Sequence, residues 1–198
     1  MTTIEATPAL SRPRLDIALA FKGGWRVFAA DIVPLLLGGL ITVVLSIVTL
    51  GIMAGPLVAG LYKMAVDRIR DGKPAEISDL FDCMKRFGAF FAAALVLGLL
   101  IGLASLTVVG GILLATVWMY VFPLMVDRGM GLGEAMKTSY HMVVDHGFWE
   151  HLALAILMIA LNAIADGPLA LISVPFTIAT LTAAYFVADE RGDLAERV

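Results

Sequence analysis

Six apolar stretches divide this chain, and all fourteen of its Lys and Arg residues fall on one side of them. The three short turns on the other side, 49–55, 105–111 and 165–173, contain no basic residue, and Asp166 is their only ionisable group. Loops rich in Lys and Arg stay on the cytoplasmic side of a membrane. The distribution therefore predicts an all-α, polytopic membrane protein with six transmembrane helices arranged as three hairpins. Both termini and every longer loop would be cytoplasmic, in an inner (plasma) membrane.

A mean hydropathy of +0.93 sets the chain apart from an ordinary soluble domain. The net charge of −3 carries little information, because both signs are concentrated on one face. Basic residues are few and interleaved with carboxylates, so nucleic acid is not an expected partner. The polar N-terminus, with Pro8 and Pro13, does not read as a cleavable signal peptide. A single cysteine, Cys83, excludes an internal disulfide and a cysteine metal cage.

Hydropathy places the spans at 27–50, 52–66, 87–106, 108–126, 148–165 and 169–188. Residues 1–12 read as a flexible tail, 13–189 as a single membrane domain and 190–198 as a charged C-terminal tail. Three amphipathic segments, 13–25, 76–87 and 132–143, are too short to span and read as helices lying in the interface. The clearest is 76–87, where Ile77, Leu80, Phe81, Met84 and Phe87 oppose Glu76, Asp79, Asp82, Lys85 and Arg86.

The order of interfacial helix, aromatic, span, small-residue turn, span and basic-Gly exit recurs three times, over 13–72, 76–129 and 132–192. Trp25, Phe87 and Trp149 are 62 residues apart in each step. The exits are Arg70-Asp71-Gly72, Asp127-Arg128-Gly129 and Glu190-Arg191-Gly192. This spacing predicts duplicated hairpins around an axis normal to the membrane. Pro56 and Pro175 would open the second and sixth spans, and Pro123 would kink the fourth near its cytoplasmic end.

Gly55-Pro56-Leu57, Gly60-Leu61-Tyr62, Arg70-Asp71-Gly72-Lys73-Pro74 and Ser78-Asp79-Leu80-Phe81 carry a family likeness. So do Phe122-Pro123-Leu124, Asp127-Arg128-Gly129, Glu134-Ala135 and Ser139. Over about residues 16–189 the chain resembles the YciC-like six-span bacterial membrane proteins. It is similar also to the membrane domain attached to some glycerophosphodiester phosphodiesterases. The resemblance implies a fold and brings no catalytic or ligand residue, and no phosphodiesterase chemistry transfers with it.

Candidate contact residues for lipid or a partner are Trp25, Phe81, Met84, Phe87 and Trp149, each on an interfacial helix or where one meets a span. Asp31, Asn162 and Asp166 are the candidate intramembrane polar residues. Interface solvation or helix-end capping is expected of the two carboxylates, and a hydrogen bond to another helix of Asn162. His141, His146 and His151 recur every five residues, a step that cannot place them on one helical face as metal ligands. The GxxxG at Gly98 and Gly102 is expected to pack spans within one subunit. Tyr62, Tyr120 and Tyr185 fit an aromatic belt.

No catalytic constellation, metal site or cofactor motif is visible. The expected role is therefore a non-enzymatic integral membrane protein that engages lipid or a partner through its cytoplasmic interfacial helices. Expected partners are membrane lipids, another membrane protein or a further copy of the chain. The competing reading is a small transporter or channel, with Pro56, Pro123 and Pro175 marking broken helices around a polar path.

Overall fold

The computed structural model describes residues 14–165, 169–189 and 191–197, and among them every regular element is helical. Asp16 starts α1 (Ile17–Ala30) by accepting the Leu19 N–H at 3.0 Å. At Asp31 the chain turns through 89° into α2 (Ile32–Val48). A tight turn through Gly51 leads to α3 (Ala54–Asp71), which ends on Gly72 in the left-handed conformation. A 3₁₀ helix (Ile77–Arg86) then runs into α4 (Phe87–Ala104). The remaining elements are α5 (Val108–Val117), α6 (Val121–Asp127), α7 (Leu132–Asp145), α8 (Phe148–Ile164), α9 (Ala170–Ala188) and α10 (Gly192–Arg197). α7 and α8 meet at 110°, with Gly147 at φ +106° between them.

Three helical stretches are long and apolar enough to cross a membrane: the 3₁₀ helix with α4, α5 with α6, and α9. The bent pairs α1–α2 and α7–α8 meet the same criterion only if each is one span, giving up to five. α3 is not among them. It was expected to span over 52–66, yet it continues to Asp71 and carries Lys63, Asp67, Arg68 and Arg70. Its surface is covered by protein instead, with Leu57, Leu61, Met64 and Val66 fully buried. α2, the 3₁₀ helix, α4, α6 and α9 all pack on it. α9 is the second buried helix and is crossed by α1, where Gly24 lies so close that a Cβ would stand 2.5 Å from the Thr180 Cα.

Several sequence expectations need correction. The first apolar run does not begin at Val27, because Val27 and Phe28 are buried in α1 on the near side of the bend. Residues 77–86 form a 3₁₀ rather than an α-helix. Three residues per turn put Ile77, Leu80 and Cys83 in one line, and Leu80 and Cys83 are buried against the core. The seat for this helix is Gly60 of α3, where a Cβ would lie 2.0 Å from the Leu80 carbonyl oxygen.

The fourth apolar run, 108–126, breaks at Trp118–Tyr120. Pro123 has no N–H to give to the Met119 carbonyl, so the helix is interrupted one turn before it. Ser139 of α7 fills the break: its hydroxyl donates to Val117 O at 2.7 Å and accepts the Tyr120 N–H at 3.3 Å. Pro175 lies inside α9 rather than at its start.

Gly98 and Gly102 face open space and pack against no span, contrary to the expectation of an internal helix contact. Tyr62, Tyr120 and Tyr185 are buried and form no outward belt. Burial of apolar area outweighs interfacial placement for these rings: Tyr62 stacks on Phe122, and Tyr120 and Tyr185 meet His151 and Phe186 edge-on.

Candidate functional site

The three exit motifs converge at one end of the bundle. Asp127, almost completely enclosed, is their node. One of its oxygens accepts from Arg191 Nη2 at 2.6 Å and from the Tyr185 hydroxyl at 2.7 Å; the other accepts from Arg70 Nη1 at 3.0 Å. Arg70 also holds Asp67 and Asp71, while Asp189 takes both Arg128 and Arg191. The ends of α3, α6 and α9 are thus tied by shared charge-assisted hydrogen bonds. The sequence showed the motif three times but gave no sign that the copies touch.

Two apolar pockets lie elsewhere in the bundle. The first, about 400 Å³, is bounded by α1, α8 and α9. Its aromatic wall is Phe21, Trp25 and Phe28 from one face of α1, closing edge-on around Phe176 of α9 with ring centroids 5.3 to 6.2 Å apart. Leu161, Ile164 and Ile172 complete it. The second, about 430 Å³, lies at the centre of the bundle and is lined by Tyr62, Trp118, Phe122, Met158 and Leu181 among others.

A small polar bridge separates the pockets. Asn162 of α8 donates through Nδ2 to Thr177 Oγ1 of α9 at 2.7 Å and to Met158 O at 2.8 Å. Its Oδ1 accepts from the Ser173 hydroxyl at 3.0 Å. Ser173 faces the first pocket, whereas Asn162 and Thr177 face the second. The amide thus makes the interhelical hydrogen bond that its place in an apolar run suggests.

Asp31 does not cap α2 with its side chain. It is buried at the bend, with its Oδ2 3.5 Å from Arg68 Nε and no hydrogen bond to that oxygen among the described residues. Asp166 lies outside the described residues. Trp25, 58% exposed, sits in the middle of α1, so the turn into α2 comes six residues after it at Asp31. Phe87 and Trp149 stand at the first and second positions of α4 and α8. Phe81 is exposed on the 3₁₀ helix and Met84 half-buried against the core. Of the expected contact residues, Trp25 lines the first of these pockets.

The histidines have different surroundings. His141 lies edge-on to Tyr140, and His146 Nδ1 is 3.0 Å from Met142 O. His151 is fully buried, its Nδ1–H donating to Gly147 O at 2.6 Å. That leaves its Nε2 an acceptor without a partner, in edge contact with Tyr120, whose hydroxyl also lacks one among the described residues. Neither residue stood out in the sequence, where both read as interfacial. Cys83 is buried against the core on the 3₁₀ helix.

Comparison of the chain with protein-family models, with curated proteins and with solved structures finds no match.

Proposed function

We propose that this protein is a non-enzymatic bacterial inner-membrane protein that holds lipid acyl chains against its interfacial helix α1. Six passes with cytoplasmic termini, α3 being the shielded second pass, are the proposed arrangement, and a YciC-like relationship agrees with it. The observation that carries the reading is the pocket walled by Phe21, Trp25, Phe28 and Phe176. Its volume falls in the range of small-molecule sites, its walls are nearly all carbon, and α1 is amphipathic. An aromatic face at one side of such a pocket suits an extended hydrocarbon chain entering from the bilayer.

Two experiments test this. Reporter fusions at residues 52, 108 and 168 should be active only as extracytoplasmic reporters, and those at 72, 130 and 198 only as cytoplasmic ones; two reversed sites end the topology. Phe21→Ser with Trp25→Ser should lower the phospholipid retained per purified protein by at least half. Unchanged lipid in a folded double variant refutes the pocket's role.

The central pocket supports a second reading, a transporter. Ala155, Met158 and Asn162 of α8 line it, and Asn162 with Thr177 gives it a polar patch. Solute flux in proteoliposomes that is abolished by Asn162→Leu would favour that reading.

A further inference from the structure

A third cavity, about 310 Å³, opens at the charged end between the last turn of α3 and α10. Arg68, Arg70 and Arg197 line it, with Ile69, Gly72 and Leu194. Guanidinium groups gathered around one space repel each other unless carboxylates or a bound anion compensate them. Carboxylates pair with all three, and hydrogen-bond two of them. Arg70 is held by Asp67, Asp71 and Asp127, and Arg197 donates to Asp193 at 2.7 Å.

Arg68 is different. Its Nε is 3.5 Å from Asp31, and the side chain makes no hydrogen bond to any described residue. Asp31 pairs with one edge of this three-quarters enclosed guanidinium, and its remaining N–H donors meet no acceptor among the described residues. Phosphate oxygens match those donors in both charge and geometry. The depth also fits, because Asp31 marks the bend between α1 and α2. On the proposed topology that bend lies at the level of the lipid phosphates.

We infer that Arg68 and Arg197 clasp a phosphate group in this cavity, with Arg70 fixed beside them by its three carboxylates. The site deepens the lipid reading and rests on it: the phosphate is that of an anionic phospholipid, and inorganic phosphate is the alternative source of the same chemistry. Asp31, Asp67, Asp71, Asp127 and Asp193, each paired with one of these arginines, limit the positive charge, so the site takes a single phosphate rather than a polyanion.

The test uses the full chain in phosphatidylcholine nanodiscs, with spin-labelled phosphatidic acid or spin-labelled phosphatidylcholine as the probe. Wild type should retain the labelled acid in preference to labelled phosphatidylcholine. Arg197→Gln, which leaves the Arg68–Asp31 pair intact, should lower that preference about fivefold, and Arg68→Gln at least as much. Lys137→Gln on α7, which removes the same charge away from the cavity, should leave it unchanged. An equal loss in Lys137→Gln, or no loss in folded Arg197→Gln, overturns the site. Displacement of the labelled acid by millimolar inorganic phosphate supports the clasp and identifies free phosphate as its ligand. Total bound lipid separates the two ideas: preference unaffected by Arg197→Gln while Phe21→Ser/Trp25→Ser still depletes lipid sinks only the phosphate site.

Discussion

Replacing Gly60 by alanine should unseat the 3₁₀ helix from the bundle. The added Cβ would lie 2.0 Å from the Leu80 carbonyl oxygen and 2.7 and 2.8 Å from the Leu80 carbonyl carbon and Cα, all backbone atoms that cannot rotate away. Ordinary contact begins near 3.4 Å, so the two helices must separate by more than 1 Å at this point. Overpacking of this kind costs about 1–3 kcal/mol, and a backbone–backbone clash belongs at the upper end. Alanine returns about 1 kcal/mol through its better helix propensity. The net loss is then roughly 2 kcal/mol, or about 4–8 °C in Tm for a chain of this size. Thermal unfolding in detergent gives the stability, and alkylation of Cys83, buried on the same 3₁₀ helix, reports the displacement. Gly133→Ala, where a Cβ meets nothing, is the control and should be neutral or slightly stabilising. A Gly60→Ala protein as stable as wild type, with Cys83 still protected, would refute the argument.

Asp127→Asn should destabilise the fold by roughly 3 kcal/mol, because it removes the shared acceptor of Arg70, Arg191 and Tyr185 from an enclosed position; trypsin sensitivity at Arg128 and Arg191 should rise with it, and unchanged cleavage would count against the knot. Asn162→Leu should cost about 0.6–1.7 kcal/mol in unfolding titrations by losing its bonds to Thr177 and Ser173. Cys83, buried against the core, should alkylate slowly in native protein at pH 7.5 and rapidly once the protein is unfolded. Rapid native labelling at pH 7.5 would contradict the burial.

The apolar helices could be read from hydropathy alone, because a run such as 87–104 has no polar alternative. The geometry of the breaks could not. Pro34, with no N–H for the Ala30 carbonyl, marks a break at Ala30–Asp31 as Pro123 does further on, but the 89° angle depends on α1 finding α9, about 150 residues away in sequence. The break before Pro123 was foreshadowed by the proline, but its filling by Ser139 is a tertiary contact of one hydroxyl. Gly98 and Gly102 matched a packing motif, and only the arrangement of the neighbouring helices shows that their face is open. For the candidate site, Trp25 and Asn162 were visible as an aromatic and an amide at unusual depth. Phe176, Tyr120 and His151 were not, since an aromatic or histidine in an apolar helix carries no label for which neighbour it will meet.

The enclosure of α3 also constrains how the protein is made. A segment whose C-terminal half carries Lys63, Asp67, Arg68 and Arg70 is less apolar than the neighbouring helices and a weak substrate for partitioning from the translocon into lipid. α2 emerges first and offers one covering face, while the 3₁₀ helix, α4 and α6 are still unsynthesised. α3 must therefore wait at the translocon or the interface until at least α4 has been made. Truncated nascent chains ending before Phe87 should leave α3 extractable at alkaline pH, whereas chains that reach Asp127 should hold it in the bilayer.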